Sequence, residues 1–190
     1  MISRRLLRIK VIQALYSHFT SETELPSTSQ KSLAHSISKC YELYYLMLTL
    51  PTEVARYNNN LIDSAKDKIR PSEQETNPNM RFAENPVIAQ LSESKAINTF
   101  MNKRSLSWSN NQNLIKGLYQ NMSTKEYFIN YMSQPKCTYN DHKNLIIDFF
   151  KNEIEDYEYL YDEIEDMSIF WADDIEYAAS HALQTITEMS

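Results

Sequence analysis

One glycine, Gly117, stands in a chain of 190 residues. Ordinary usage would give roughly 7%. Dinucleotide-binding fingerprints, phosphate-binding loops and two-residue primed hairpins all need glycines at fixed offsets, so this sequence excludes them. Helices joined by helix-to-helix loops can do without glycine. Cysteine is nearly as scarce. Cys40 and Cys137 are too few and too far apart for a disulfide framework or a zinc site, and they read as reduced thiols of a cytosolic protein. No apolar run reaches the ~18 residues of a membrane span. No small-residue cleavage site follows the basic start, so no signal peptide is expected. Nucleophile chemistry lacks its marks as well. There is no Gly-x-Ser-x-Gly elbow, and Cys40 lies on an apolar stripe, as a small hydrophobe would. His18, His35, His142 and His181 do not supply the Glu-x-x-His spacing of a carboxylate-bridged metal pair. The expectation is a protein that is not an enzyme and holds no cofactor or metal.

What is present is apolar residues at three- and four-residue steps. Hydrophobic content is 42%, with 13 Tyr, 7 Phe and 2 Trp, a globular composition. No segment alternates as a strand would, so the fold class reads as all-α, a helical bundle. The first helix is expected from about Ser3 to Phe19, capped by Ser3. Leu7, Ile9, Val11, Ile12, Ala14, Leu15, Tyr16 and Phe19 cover most of its wheel, with a polar gap at Lys10, Gln13 and Ser17. Such a helix is buried by neighbours on most sides. A polar loop containing Pro26 leads to a long periodic segment from about Ser29 to Ala65, with a kink or break expected at Pro51. A second polar loop runs from Pro71 to about Glu84. Asn85 and Pro86 supply the cap and first position of a helix with Val87, Ile88, Leu91, Ala96, Ile97 and Phe100 on its apolar face. Trp108 falls in the next connection, before a short helix from about Asn110 to Asn121. Ser123 and Glu126 read as a capping box opening another helix, which Pro135 ends. Thr138 or Asn140 caps a long helix running past Ile146 to Met167. After a break near Ser168 to Asp173, the last helix is capped by Asp173 or Asp174.

Charge is distributed unevenly. The net charge is −6 and the pI about 5.3, yet Arg4, Arg5, Arg8 and Lys10 precede the first acidic residue, Glu22. Positive side chains in a first turn oppose the helix dipole by some tenths of a kcal/mol each. The bland reading is a solvated helix start, but an unforced sequence would place Asp or Glu in that turn; the alternative reason is a polyanion, RNA above all. Guanidinium groups grip phosphates in forked geometry and stack on bases. Tyr16, taken alone, reads as core. Acidic residues crowd between Glu153 and Glu176, and no Lys or Arg follows Lys151. They alternate with an apolar face, as on a solvated helix. The competing function class takes that acidic face as the docking surface of a helical protein-interaction module, without RNA affinity, for a basic partner.

The stretch Arg4-Arg5-x-x-Arg8-x-x-Val11-Ile12-Gln13-Ala14-Leu15-Tyr16-Ser17 resembles the opening helix of the NusB family of transcription antitermination factors. The close match covers about the first eighteen residues. Asn77-Pro78-Asn79-Met80-Arg81-Phe82 and Phe170-Trp171-Ala172-Asp173-Asp174 are similar to phrases of long NusB versions. The family signatures N-E-A-V-x-L-A-K and F-V-N-G-V-L-D do not occur. The resemblance implies an all-helical unit. Residues 1–70 would be the NusB-like first bundle, 71–171 an inserted helical region and 172–190 the start of a further helix. The chain would be the N-terminal region of a long variant. The resemblance also implies boxA-type RNA as ligand, with contacts from Arg4, Arg5, Arg8 and Tyr16. Its implied partners are NusE, a small-subunit ribosomal protein, and the RNA polymerase antitermination complex. A further expectation is an apolar surface over Leu6, Ile9 and Tyr16, either open or closed in a homodimer.

Overall fold

A computed structural model describes residues 3–21, 25–66, 68, 72–155 and 157–190. The described residues are helical without strands. The helices are α1 (Arg4–Thr20), α2 (Pro26–Lys66), α3 (Glu73–Thr76), α4 (Pro86–Glu93) and α5 (Lys95–Arg104), then α6 (Gln112–Thr124), α7 (Glu126–Ser133), α8 (Tyr139–Glu153), α9 (Glu158–Met167) and α10 (Ile175–Glu188). None of them is long and apolar enough to cross a membrane.

The 41-residue α2 is the axis on which the others assemble. Leu43, Leu46, Met47, Leu50 and Val54 are fully buried along it, at the three-to-four spacing that holds one helix face against neighbours. Helices α4, α5, α6 and α10 pack directly on α2, and α8 closes over α4, α6 and α10. One apolar cluster runs from Leu43 to Ile186. The segments expected as a first bundle, an insertion and a terminal helix therefore share one core.

The kink or break expected at Pro51 is not a break, because α2 runs through it. A proline inside a helix costs about 3 kcal/mol through its missing N–H and its ring. Pro51 and its neighbours Leu50 and Val54 are buried, and each large apolar side chain taken from water returns about 1.5–3 kcal/mol. Packing wins. One turn earlier an outside donor enters the helix: Trp108 Nε1 donates to the Leu46 carbonyl at 3.0 Å.

Several boundaries differ from those expected. α2 begins at Pro26 itself, so the loop expected to Ser29 is shorter; the part of it at 22–24 lies outside the described residues. Pro71 also lies outside them, and the loop after it holds the short α3, opened by a Ser72–Glu75 capping box. Asn85 caps α4 as expected, its Oδ1 accepting from the Val87 and Ile88 amides at 2.9 and 3.4 Å. The helix expected through Phe100 divides at Ser94 into α4 and α5. Ser123 and Glu126 form no capping box: Ser123 Oγ donates back to the Gln120 carbonyl inside α6, and Lys125 stands at the start of α7. Thr138 caps α8 in a box with Asp141. The long helix expected to Met167 is two helices, separated between Ile154 and Tyr157.

Candidate nucleic-acid interface

Helix α1 lies at the edge of the fold, packed against α2. Ser3 Oγ accepts from the Leu6 amide at 3.1 Å, the cap expected for this helix. The Ser3 N–H donates to Tyr177 Oη at 2.7 Å, tying the start of α1 to α10. Lys10 reaches the segment before α10, donating to the Phe170 carbonyl at 3.3 Å and pairing with Asp174 at 2.8 Å. Gln13 Nε2 donates to Asp173 Oδ2 at 2.8 Å, and His18 Nδ1 meets Ser29 Oγ at 2.9 Å.

This arrangement reverses the expectation that the apolar wheel faces inward. Only Leu6 and Lys10 of α1 are buried. The polar gap of the wheel is the docking side. The cause is electrostatic: Asp174 is wholly buried at the start of α10 and needs a cation. The Lys10 ammonium, 2.8 Å from Asp174 Oδ2, supplies that charge compensation. For the same reason Asp174, expected as a side-chain cap, makes no cap bond to α10. Burial raises its carboxyl above the ordinary range, and Lys10 opposes that shift. Next to the pair, burial and the Asp174 charge push the Cys40 thiol up to about 12, so it stays protonated at neutral pH.

The solvent side of α1 is consequently one continuous arc. At about 100° per residue, Arg4, Arg5, Arg8, Ile9, Val11, Ile12, Leu15, Tyr16 and Phe19 fall within roughly half the circumference, and all are exposed. Arg4, Arg5 and Arg8 form no ion pair among the described residues. Tyr16 is 72% exposed, against its reading as core, and Phe19 is 80% exposed. The structure thus sets all four sequence-derived residues, Arg4, Arg5, Arg8 and Tyr16, on one open face. Of the surface expected over Leu6, Ile9 and Tyr16, the last two are open and Leu6 is buried. Sequence reasoning did not single out Ile12 and Phe19, though both share the arginines' side of the wheel.

The acidic residues separate into two kinds. Glu158, Asp162, Glu165 and Asp166 of α9 are solvent-exposed, while Glu153 and Asp174 are buried. Tyr127 Oη donates to Glu153 at 3.0 Å. Among the described residues no three His, Cys, Asp or Glu side chains gather as a metal site would require.

The two NusB-like phrases serve packing. Trp171 is buried, and its Nε1 donates to the Lys39 carbonyl at 2.8 Å. Arg81 donates to the Tyr131 and Met132 carbonyls at 2.7 and 2.9 Å near the end of α7, and Phe82 is buried. Comparison with protein-family models, with curated proteins and with solved structures finds no match.

Proposed function

We propose that this chain is an RNA-binding factor of NusB type, holding boxA-like single-stranded RNA on α1 as part of a transcription antitermination assembly. One observation carries the RNA reading. Three arginines without carboxylate partners among the described residues share a solvent-exposed helix face with Tyr16 and Phe19. Forked cations for phosphates beside aromatic rings for bases are what single-stranded RNA recognition uses. The acidic balance of the chain as a whole favours a local RNA contact over general coating. The choice of boxA-type RNA, of NusE as co-binding partner and of RNA polymerase as the final target rests on the resemblance of residues 4–17 to the NusB opening helix.

The test is the triple variant Arg4→Ala/Arg5→Ala/Arg8→Ala. These side chains are exposed, so folding is expected to be unchanged. Affinity for a boxA-like oligonucleotide is expected to fall. The slope of log K against log salt is expected to shrink by up to ~0.7 for each phosphate no longer held. A triple variant with the wild-type affinity and slope rejects the RNA reading. Undiminished capture of a basic ribosomal protein through the α9 carboxylates, with no RNA affinity, would put the helical interaction module in its place.

A further inference from the structure

Between α2 and α10 runs a groove of about 400 Å³, floored by Cys40. Its volume falls within the ordinary range of ligand sites. Its walls are aromatic. Tyr41 stands 40% exposed on the α2 side, and Tyr177 lies against His181 on the α10 side with ring centroids 4.0 Å apart. Polar groups stand along the same groove. Tyr44 Oη and Thr185 Oγ1 share a hydrogen bond of 3.0 Å, and Gln184 Nε2 donates to Glu188 at 2.9 Å. That bond uses one of the two amide N–H donors of Gln184 and leaves the other N–H and the carbonyl oxygen for a ligand.

The groove is tied to the start of α1 through one wall residue. Tyr177, one of its wall residues, is the side chain that accepts from the Ser3 N–H at 2.7 Å. Arg4 and Arg5 follow Ser3 directly, so their backbone lies within about 10 Å of that hydroxyl. The first turn of α1 and the groove are thus close enough for one RNA strand to reach both. Aromatic faces with hydrogen-bonding edges suit a flat heterocycle whose rim carries donors and acceptors, and they suit a phosphate poorly because Glu188 stands at the site.

We propose that the α2–α10 groove receives one unpaired nucleobase of the RNA strand whose phosphates Arg4, Arg5 and Arg8 hold. The base stacks on Tyr41 and on the Tyr177–His181 pair, with its edge toward Gln184 and Thr185. This rests on the RNA reading of α1.

The experiment uses the full chain, a boxA-like oligonucleotide and the same oligonucleotide with single abasic positions. Tyr41→Ala removes an exposed ring that has no hydrogen bond among the described residues, so its fold is expected to persist, as checked by thermal melting. Affinity is expected to drop between about five- and a hundred-fold, the range for removing one base–aromatic stack. The salt slope is expected to stay at the wild-type value, because every phosphate remains held. Tyr41→Phe keeps the ring and is expected to bind as wild type. One abasic position should weaken the wild type by a similar factor and leave Tyr41→Ala indifferent. A photoreactive base at that position should crosslink to a peptide containing Tyr41 or Tyr177. Wild-type affinity in Tyr41→Ala, or the absence of any such abasic position, overturns the groove. In that case the arginine variant still reports on α1 by its slope. A mononucleotide that fills the groove without weakening RNA binding also overturns it.

Discussion

A Cβ built on Gly117 would lie 2.6 Å from the Tyr157 hydroxyl oxygen, closer than real Cβ atoms come to a neighbour. The only glycine of the chain thus sits inside α6 to let the approach to α9 bring Tyr157 across its backbone. The position is a helix interior, where glycine is about 1 kcal/mol less favourable than alanine. Two opposed effects therefore meet at one residue. Gly117→Ala gains helix propensity but displaces the Tyr157 hydroxyl. Tyr157→Phe removes that hydroxyl and leaves the ring. Gly117→Ala alone is expected to be neutral or destabilising. In a Tyr157→Phe background the same change is expected to stabilise by up to ~1 kcal/mol. Urea unfolding of the four proteins in this cycle measures the coupling. Equal effects of Gly117→Ala in both backgrounds would show that the hydroxyl is not the obstacle.

Helix α1 is held by bonds from its polar side, and the Lys10–Asp174 pair is the buried one. Removing one partner of a buried pair costs about 3–5 kcal/mol, because the other charge remains. Lys10→Met is expected to release α1 from α10, with amide exchange accelerating over 7–20 while the centre of α2 keeps its protection. Replacing both partners, Lys10→Met with Asp174→Leu, is expected to restore most of that stability. The pH dependence has a definite sign. Burial raises the Asp174 carboxyl in the folded state, so the folded protein takes up this proton before the unfolded chain does. The Lys10→Met defect, measured against wild type, should shrink as pH falls through that raised value and be largest above it. An undiminished defect at acid pH would remove Asp174 as its cause. The same pair shows where sequence reading stops. Helix starts at Ser3, Asn85 and Thr138 are legible because each cap is a local side-chain bond. The divisions at Ser94 and after Ile154 are not, since apolar spacing continues across both and neither has a glycine or proline to mark it. The side on which α1 docks is illegible for another reason. Asp173 and Asp174 lie some 160 residues away, outside any window of periodicity, and a wheel alone assigns the apolar side to the core. The arginine cluster is legible, because charge against the dipole is visible in the first two turns.

At the scale of the whole molecule, the core is complete around α2 while α1 turns its apolar side to water. Ile12 is 66% exposed, Leu15 49%, Tyr16 72% and Phe19 80%, all on one arc. Scattered exposed hydrophobes are ordinary, but a contiguous face of a few hundred Å² marks an interaction surface. Its composition changes along the helix, with arginines in the first turns and aromatic rings toward the last. Two copies laid antiparallel would set the guanidinium groups of one near the rings and C-terminal carbonyls of the other. Cation–π and helix-dipole interactions both favour that pairing. The chain is therefore expected to self-associate without RNA, its weight-average mass in sedimentation rising with concentration. Phe19→Glu or Ile12→Glu places a carboxylate in the interface and is expected to hold the protein monomeric without weakening the fold, since both side chains are exposed. RNA needs the same face, so a saturating boxA-like oligonucleotide should lower the protein mass toward the monomer, and the Arg4→Ala/Arg5→Ala/Arg8→Ala variant should resist that effect. A wild-type chain that stays monomeric across the accessible concentrations would reject the open face of α1 as a self-association surface.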